Sequence, residues 1–202
     1  MTIWRGKYPL ILASQSRARQ AVLANAGIVF DAIPADIDER RIQLDSRLSR
    51  PDKVASLLAR EKALAVASRR PGRIVVGADQ TLALGDRLFT KPAGRAQAAD
   101  QLRSLAGANH ELYSAIAVAC DGRIMFETVA IARMTMRPLT EAEIGAYLDE
   151  AGESVTTSVG AYQLEGLGVH LFERIEGDHF TILGLPLLPL LAFLRGEGLL
   201  AV

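Results

Sequence analysis

Apolar residues in this chain fall into short runs and helical stripes rather than one long block. Leu10-Ile11-Leu12-Ala13 has no polar break and predicts a first, buried strand. Ser14-Gln15-Ser16-Arg17-Ala18-Arg19 follows directly and feeds a helix with apolar Ala21, Val22, Leu23 and Ala24, ending at Gly27. Val29 to Pro34 alternates like a second strand, and Asp36, Asp38 and Glu39 come after it. Pro51 to Ala67 predicts an amphipathic helix, with Asp52 in its first turn and Val54, Leu57, Leu58, Ala63, Leu64 and Ala67 as its apolar stripe. The turn signal Pro71-Gly72 then introduces the β-branched run Ile74-Val75-Val76, which reads as a strand buried on both faces. That strand is expected to stop at Gly77-Ala78, small residues that let other groups approach the backbone. Asp79 would then stand where a core strand runs out into solvent.

Beyond Asp79, Gly94 to Leu105 predicts a helix stopped by Gly107. Leu112 to Ala119 reads as a strand that turns at Asp121-Gly122 into a hairpin partner, Ile124 to Met136. Thr140-Glu141-Ala142-Glu143 opens a helix in capping-box style that runs to about Asp149. A Gly-rich loop, Glu165-Gly166-Leu167-Gly168, lies between Ser158–Tyr162 and Val169–Phe172. Gly177-Asp178 makes a turn, Phe180 to Leu183 reads as short and extended, and Pro186 to Leu194 as a final helix. Strands and helices mix without strict βαβ alternation, which predicts an α/β fold with a mixed sheet flanked by helices.

Composition narrows the class. The 202 residues, 50% hydrophobic, suffice for one well-packed domain or two small lobes. Lys+Arg 23 balance Asp+Glu 23, so no basic excess suggests a nucleic-acid surface and no acidic excess a solvating tail. A single cysteine, Cys120, excludes an intrachain disulfide and a CxxC metal site, and its apolar surroundings predict a buried, inert thiol. His110, His170 and His179 lack metal-ligand spacing, so no zinc site is expected. The run at Leu10 is too short for a signal peptide, and the C-terminal apolar stretch from Ile182 to Leu194 is broken by Gly184, Pro186 and Pro189. A soluble cytoplasmic protein with no membrane partner is the expectation.

The candidate chemistry is phosphate chemistry. A strand feeding a Ser-rich turn into a helix is a recurring anion site, where Ser14 and Ser16 can donate or cap and Arg19 adds a fork of donors. The same residues also suit an ordinary N-cap with surface arginines, and no GxxxxGK[ST] P-loop occurs. Asp36, Asp38 and Glu39 suit either Mg²⁺ or a solvated loop. Arg60, Glu61 and Lys62 form either a solvated helix face or one arm of a site. Asp79, with Lys91 before Pro92, suits a metal-bound, phosphate-bearing substrate, although a strand-end Asp also caps turns.

Several stretches together resemble one family, the Maf nucleotide pyrophosphatases. They are Leu12-Ala13-Ser14-Gln15-Ser16 with Arg19, Ala59-Arg60-Glu61-Lys62-Ala63, and Val76-Gly77-Ala78-Asp79 with Lys91-Pro92. Gly160-Ala161-Tyr162 with Glu165-Gly166 continues the series, and Phe172 to Asp178 with Gly184-Leu185-Pro186-Leu187 completes it. The resemblance spans about Leu10 to Leu187 and implies a single domain over residues 1–202. The implied fold is an elongated, curved mixed sheet with two lobes and a cleft, similar to the inosine-triphosphate pyrophosphatases. The implied reaction is divalent-metal-dependent (Mg²⁺ or Mn²⁺) hydrolysis of a nucleoside triphosphate to the monophosphate and pyrophosphate, by a homodimer that binds no nucleic acid.

By the same resemblance Asp79 is the proton acceptor and touches the metal, and Glu39 takes an acidic metal-site position. Arg19, Lys62 and Lys91 would grip phosphates, with Ser14 as a neutral donor. Gln80 and Glu165 look like the branch acting on 7-methylguanosine triphosphate, since the thymidine and uridine branch carries Thr and Gln at those places. That branch also tends to carry a bulky aromatic where Ala18 stands. The alternatives are a dTTP/UTP pyrophosphatase, a nucleotide-binding module with no need of Asp79, or a structural role in division suggested by the family's history alone.

Overall fold

A computed structural model describes residues 3–202 of the chain. Its first elements are β1 (Leu10–Ala13), α1 (Arg17–Asn25), β2 (Phe30–Ala32), α2 (Glu39–Ser46), α3 (Pro51–Ala67), β3 (Val75–Leu84) and β4 (Arg87–Phe89). They are followed by α4 (Arg95–Leu105), β5 (Asn109–Cys120), β6 (Arg123–Met136), α5 (Glu141–Ala151), β7 (Phe172–Glu176), α6 (His179–Ile182) and α7 (Leu187–Gly196). Short 3₁₀ segments lie between α5 and β7. The strands form one seven-stranded sheet in the order β2-β1-β3-β5-β6-β7, with β4 pairing β3. The sheet is mixed, because β1 is parallel to β2 and β3 whereas β3–β4 and β6–β7 are antiparallel. An α/β fold with a mixed sheet flanked by helices is what the pattern predicted.

Contacts divide the chain into two compact units. The first comprises the chain up to Gln80, Ser114–Ala130 and His179–Val202. Its core packs Leu10 and Leu12 of β1, Val76 and Ala78 of β3, Ile116 and Val118 of β5, Val22 and Leu23 of α1, and Leu187, Leu190 and Leu194 of α7. Strand alternation turns Val75, Gly77 and Asp79 to the opposite face. There α3 buries Val54, Ala55, Leu58, Ala59, Ala63, Val66 and Ala67. Helix α3 starts at Pro51 as expected, because a proline at the first helical position lacks only an N–H that would go unbonded anyway.

The second unit comprises Thr81–Tyr113 and Ile131–Asp178. Here α4 packs with α5 and with the 3₁₀ turns, and the Thr140 capping box is formed in both directions with Glu143. His110 Nε2 lies 2.7 Å from the Tyr162 hydroxyl inside this unit, and burial pushes the imidazole down to about 4.

Four expectations are corrected. β3 does not stop at Gly77-Ala78 but continues to Leu84, because Thr81, Leu82 and Ala83 are buried too, and Asp79 therefore sits inside the strand rather than at its solvent end. Phe180 to Leu183 is not extended, since His179–Ile182 forms one helical turn closed at Gly184. Cys120 is half-buried rather than buried, its thiol pushed up by partial burial and by Asp121. The acidic stretch is not simply a loop, because Asp38 caps α2 and Glu39 opens it.

Candidate active site

The site grows from a missing side chain. Gly77 faces α3, where a Cβ would lie 2.1 Å from the Ala59 carbonyl oxygen and 2.5 Å from the Ala63 nitrogen. Only hydrogen fits, so the helix backbone comes down onto the strand at that point. Lys62 follows Ala59 by three residues and so shares its helix face, while Asp79 follows Gly77 by two and shares its strand face. The close approach thus delivers an ammonium onto a carboxylate, with Lys62 Nζ donating to Asp79 Oδ1 at 2.7 Å. Both residues are buried, Lys62 8% and Asp79 7% exposed. Glu39, at the first turn of α2, brings Oε1 to within 2.9 Å of the same Nζ, with its own side chain half exposed.

Arg19 enters from α1, whose N-cap is Ser16. Its Nη1 donates to the Ala78 carbonyl at 2.7 Å and to Ser14 Oγ at 3.3 Å, and its Nε donates to the Gly184 carbonyl at 2.8 Å. Ser14 Oγ also accepts from the Ser16 N–H at 3.2 Å, so the Ser-rich turn, the strand and the Gly184 turn share one guanidinium. Among the described residues the Nη2 edge has no partner within the protein. Burial pulls the Arg19 guanidinium below its usual value, and Asp79 and Glu39 oppose that pull. Burial is also the largest influence on Asp79, and it raises the carboxyl above the ordinary carboxylate range. Lys62 and Arg19 act to lower it, and Glu39 adds a smaller upward push.

The structure therefore brings Ser14, Arg19, Glu39, Lys62 and Asp79 into one group within the first unit. Ala18 is half-buried beside Arg19 on α1. Gln80 belongs to the first unit as well, but strand alternation turns it to the face opposite Asp79. There its Nε2 meets Ser114 Oγ at 2.8 Å, the Ile182 carbonyl at 3.0 Å and the Thr181 carbonyl at 3.1 Å. Lys91 and Glu165 are exposed in the second unit and take no part in the hydrogen-bonded group around Lys62.

The sequence reading did not single out Ser114 or the backbone carbonyls of Ala78 and Gly184. For Ser114 a signal exists, because it is the one serine or threonine in β5, at the head of the apolar run Ala115–Ala119. A carbonyl carries no residue-type signal at all.

Among the described residues no three His, Cys, Asp or Glu side chains converge as a ready metal cage. Asp79 and Glu39, both within reach of one ammonium, are instead a two-carboxylate donor set. That is the set Mg²⁺ takes when its other ligands are water and substrate phosphate.

Comparison with known proteins gives consistent results. The profile of the family described as Maf-like protein matches residues 9–197. A protein of Bradyrhizobium diazoefficiens named nucleoside triphosphate pyrophosphatase is 72% identical over 202 residues, 100% of both chains. One of Rhodopseudomonas palustris with the same name is 70% identical over 202 residues, again 100% of both. A 7-methyl-GTP pyrophosphatase of Rhizobium etli is 53% identical over 191 residues, 94% of this chain and 96% of that one. No described helix is long and apolar enough to cross a membrane.

Proposed function

The chain belongs to the Maf-like protein family and is a nucleoside triphosphate pyrophosphatase, and on that premise we propose that Asp79 is its general base. Hydrolysis to the monophosphate and pyrophosphate needs a water aimed at the α-phosphorus, a group to take its proton, and positive charge on the departing pyrophosphate. The observation that carries the reading is the buried Asp79 carboxylate. Lys62 holds it in place, and burial moves its proton affinity towards the range where a base works at neutral pH. Lys62 and the unpartnered edge of Arg19 supply cationic donors to phosphate oxygens, and Ser14 a neutral one. Lys91 is proposed for the same task on the family resemblance of its Lys91-Pro92 motif. No covalent nucleophile is required.

Charge supports a divalent metal. With Asp79 ionised, Arg19 and Lys62 balance Asp79 and Glu39, so the group offers no net positive charge to a triphosphate. Asp79 and Glu39 are the residues that would hold the ion, and its chemistry there is to neutralise phosphate charge. A working homodimer in the cytoplasm belongs to the same reading, and sedimentation would test the dimer.

For the base we propose guanine, methylated above plain. The exposed Glu165 carboxylate can accept from both N1–H and the exocyclic amine of guanine, and a cationic 7-methylated ring favours it further. Thymine and uracil offer one N–H between two carbonyls, leaving a carboxylate facing acceptors. The relative named 7-methyl-GTP pyrophosphatase supports this choice. Ala18 lacks the aromatic stacking surface of that branch, so stacking contributes little from this position. Competition among UTP, dTTP, GTP and 7-methyl-GTP on wild type and on Glu165→Gln tests the assignment. Preference for UTP or dTTP by wild type, or an unchanged ranking in the variant, would refute the base and leave the pyrophosphatase standing. Loss of all pyrophosphate release from wild type would refute both.

A further inference from the structure

Ser114 and Gln80 form a polar network inside the first unit that the phosphate chemistry does not use. We propose that they latch the Thr181–Gly184 turn so that the Gly184 carbonyl orients Arg19, which makes Ser114, Gln80 and Gly184 positioning residues; the proposal rests on reading Arg19 as a phosphate ligand. Ser114 is fully buried on β5, and its Oγ donates to the Thr181 carbonyl at 2.6 Å. Gln80 Nε2 faces that same carbonyl, the Ile182 carbonyl and Ser114 Oγ, so both amide hydrogens are used within the protein rather than on a nucleobase. The carbonyls belong to the last turn of α6, where helix oxygens lack intrahelical partners.

The turn is closed as a Schellman motif, with the Gly184 N–H on the Thr181 carbonyl at 3.0 Å and the Leu185 N–H on the Phe180 carbonyl at 3.0 Å. That closure needs the left-handed φ of 84° at Gly184, which glycine adopts without strain. The Gly184 carbonyl then receives Arg19 Nε, and a Cβ on Gly184 would press to 3.1 Å from Nε and 3.3 Å from Nη2. Alternation of the strand completes the device. Asp79 meets Lys62 on one face of β3 while Gln80, the next residue, fixes the seat of Arg19 on the other.

The test is a double-mutant cycle on the full-length enzyme, read by competitive inhibition with inorganic tripolyphosphate, a probe without a base. Ser114→Ala should weaken inhibition by about three- to tenfold, as expected for one lost hydrogen bond, with kcat changed less than KM. Arg19→Ala should weaken inhibition more, and adding Ser114→Ala to it should cause no further loss. Gly184→Ala provides a second cycle that leaves Ser114 in place and should behave the same way. Additive losses in both cycles, or unchanged inhibition in Ser114→Ala and Gly184→Ala, would overturn the latch alone. Unchanged inhibition in Arg19→Ala would overturn the phosphate assignment of Arg19 and the latch with it.

Discussion

Replacing Gly77 by alanine should uncouple the site from the fold by adding one methyl group. Gly77 has no left-handed φ, so the backbone tolerates alanine and only space is at issue. The new Cβ would lie 2.1 Å from the Ala59 oxygen, against a practical minimum of 3.0 Å, so α3 must retreat by at least about 0.9 Å, the difference of the two. The obstacle is helix backbone rather than a flexible side-chain tip, and rotamer changes cannot relieve it. Overpacking of this kind costs about 1–3 kcal/mol or somewhat more. For a chain of this size each kcal/mol lowers Tm by roughly 2–4 °C, so a fall of about 6–12 °C is expected at the upper end. The retreat also stretches the 2.7 Å Lys62–Asp79 contact, so kcat/KM should fall in the fraction that remains folded. Gly145→Ala is the control. Gly145 lies inside α5 with nothing within 4 Å of its would-be Cβ, and alanine there should stabilise by about 0.5–1 kcal/mol. A Gly77→Ala enzyme with wild-type Tm and activity would refute the claim that the missing Cβ sets the helix-to-strand distance.

The site residues give two further expectations. Asp79→Asn should bind nucleotide but turn over about 10²–10⁴-fold more slowly, measured with a metal titration alongside. Because burial raises Asp79, the wild-type kcat profile should lose activity as pH falls through a value above the ordinary carboxylate 3.8, a limb absent from the residual activity of Asp79→Asn. Wild-type rates in Asp79→Asn at saturating metal would remove Asp79 from the role of base. Lys62→Ala and Lys91→Ala should weaken triphosphate binding far more than monophosphate binding, and equal loss for both ligands would indicate general damage instead.

Much of the architecture was legible because particular residues forced it. Pro51 and the stripe from Val54 to Ala67 define α3 at both ends, and Asp121-Gly122, both with positive φ, fix the hairpin turn between β5 and β6. α2 was invisible, since Arg40, Arg41, Gln43 and Asp45 give it no apolar face and none of its residues is buried. β7 was hidden for a similar reason, with Glu173, Arg174 and Glu176 exposed along it. The run Phe180–Leu183 is short and apolar, and such runs do not distinguish a strand from a helical turn. Within the candidate site, residue types left Asp79, Lys62, Glu39, Arg19 and Ser14 open between plain and chemical readings, and the family resemblance selected them. Sequence did not reveal the carbonyls that seat Arg19, which depend on where three separate segments meet.

The buried Lys62–Asp79 pair is better explained by chemistry than by stability. Taking both charges out of water carries a desolvation penalty that their attraction offsets only in part, and apolar residues of similar volume in such places are often neutral or stabilising by about 1–4 kcal/mol. Lys62→Met with Asp79→Leu should therefore raise Tm or leave it unchanged while abolishing turnover. Lys62→Met alone strands a buried carboxylate and should destabilise by about 3–5 kcal/mol. The sign of the pH dependence follows from Asp79. A carboxyl raised in the folded state binds its proton more tightly there, so its contribution to stability is present at low pH and is lost as pH rises through the folded pKa. The advantage of the double variant should accordingly be largest at neutral pH and shrink in acid. Thermal unfolding of the three proteins across that range decides the matter. A double variant as unstable as Lys62→Met at neutral pH would mean that the pair holds α3 to β3, and the separation of stability from chemistry at this site would be wrong.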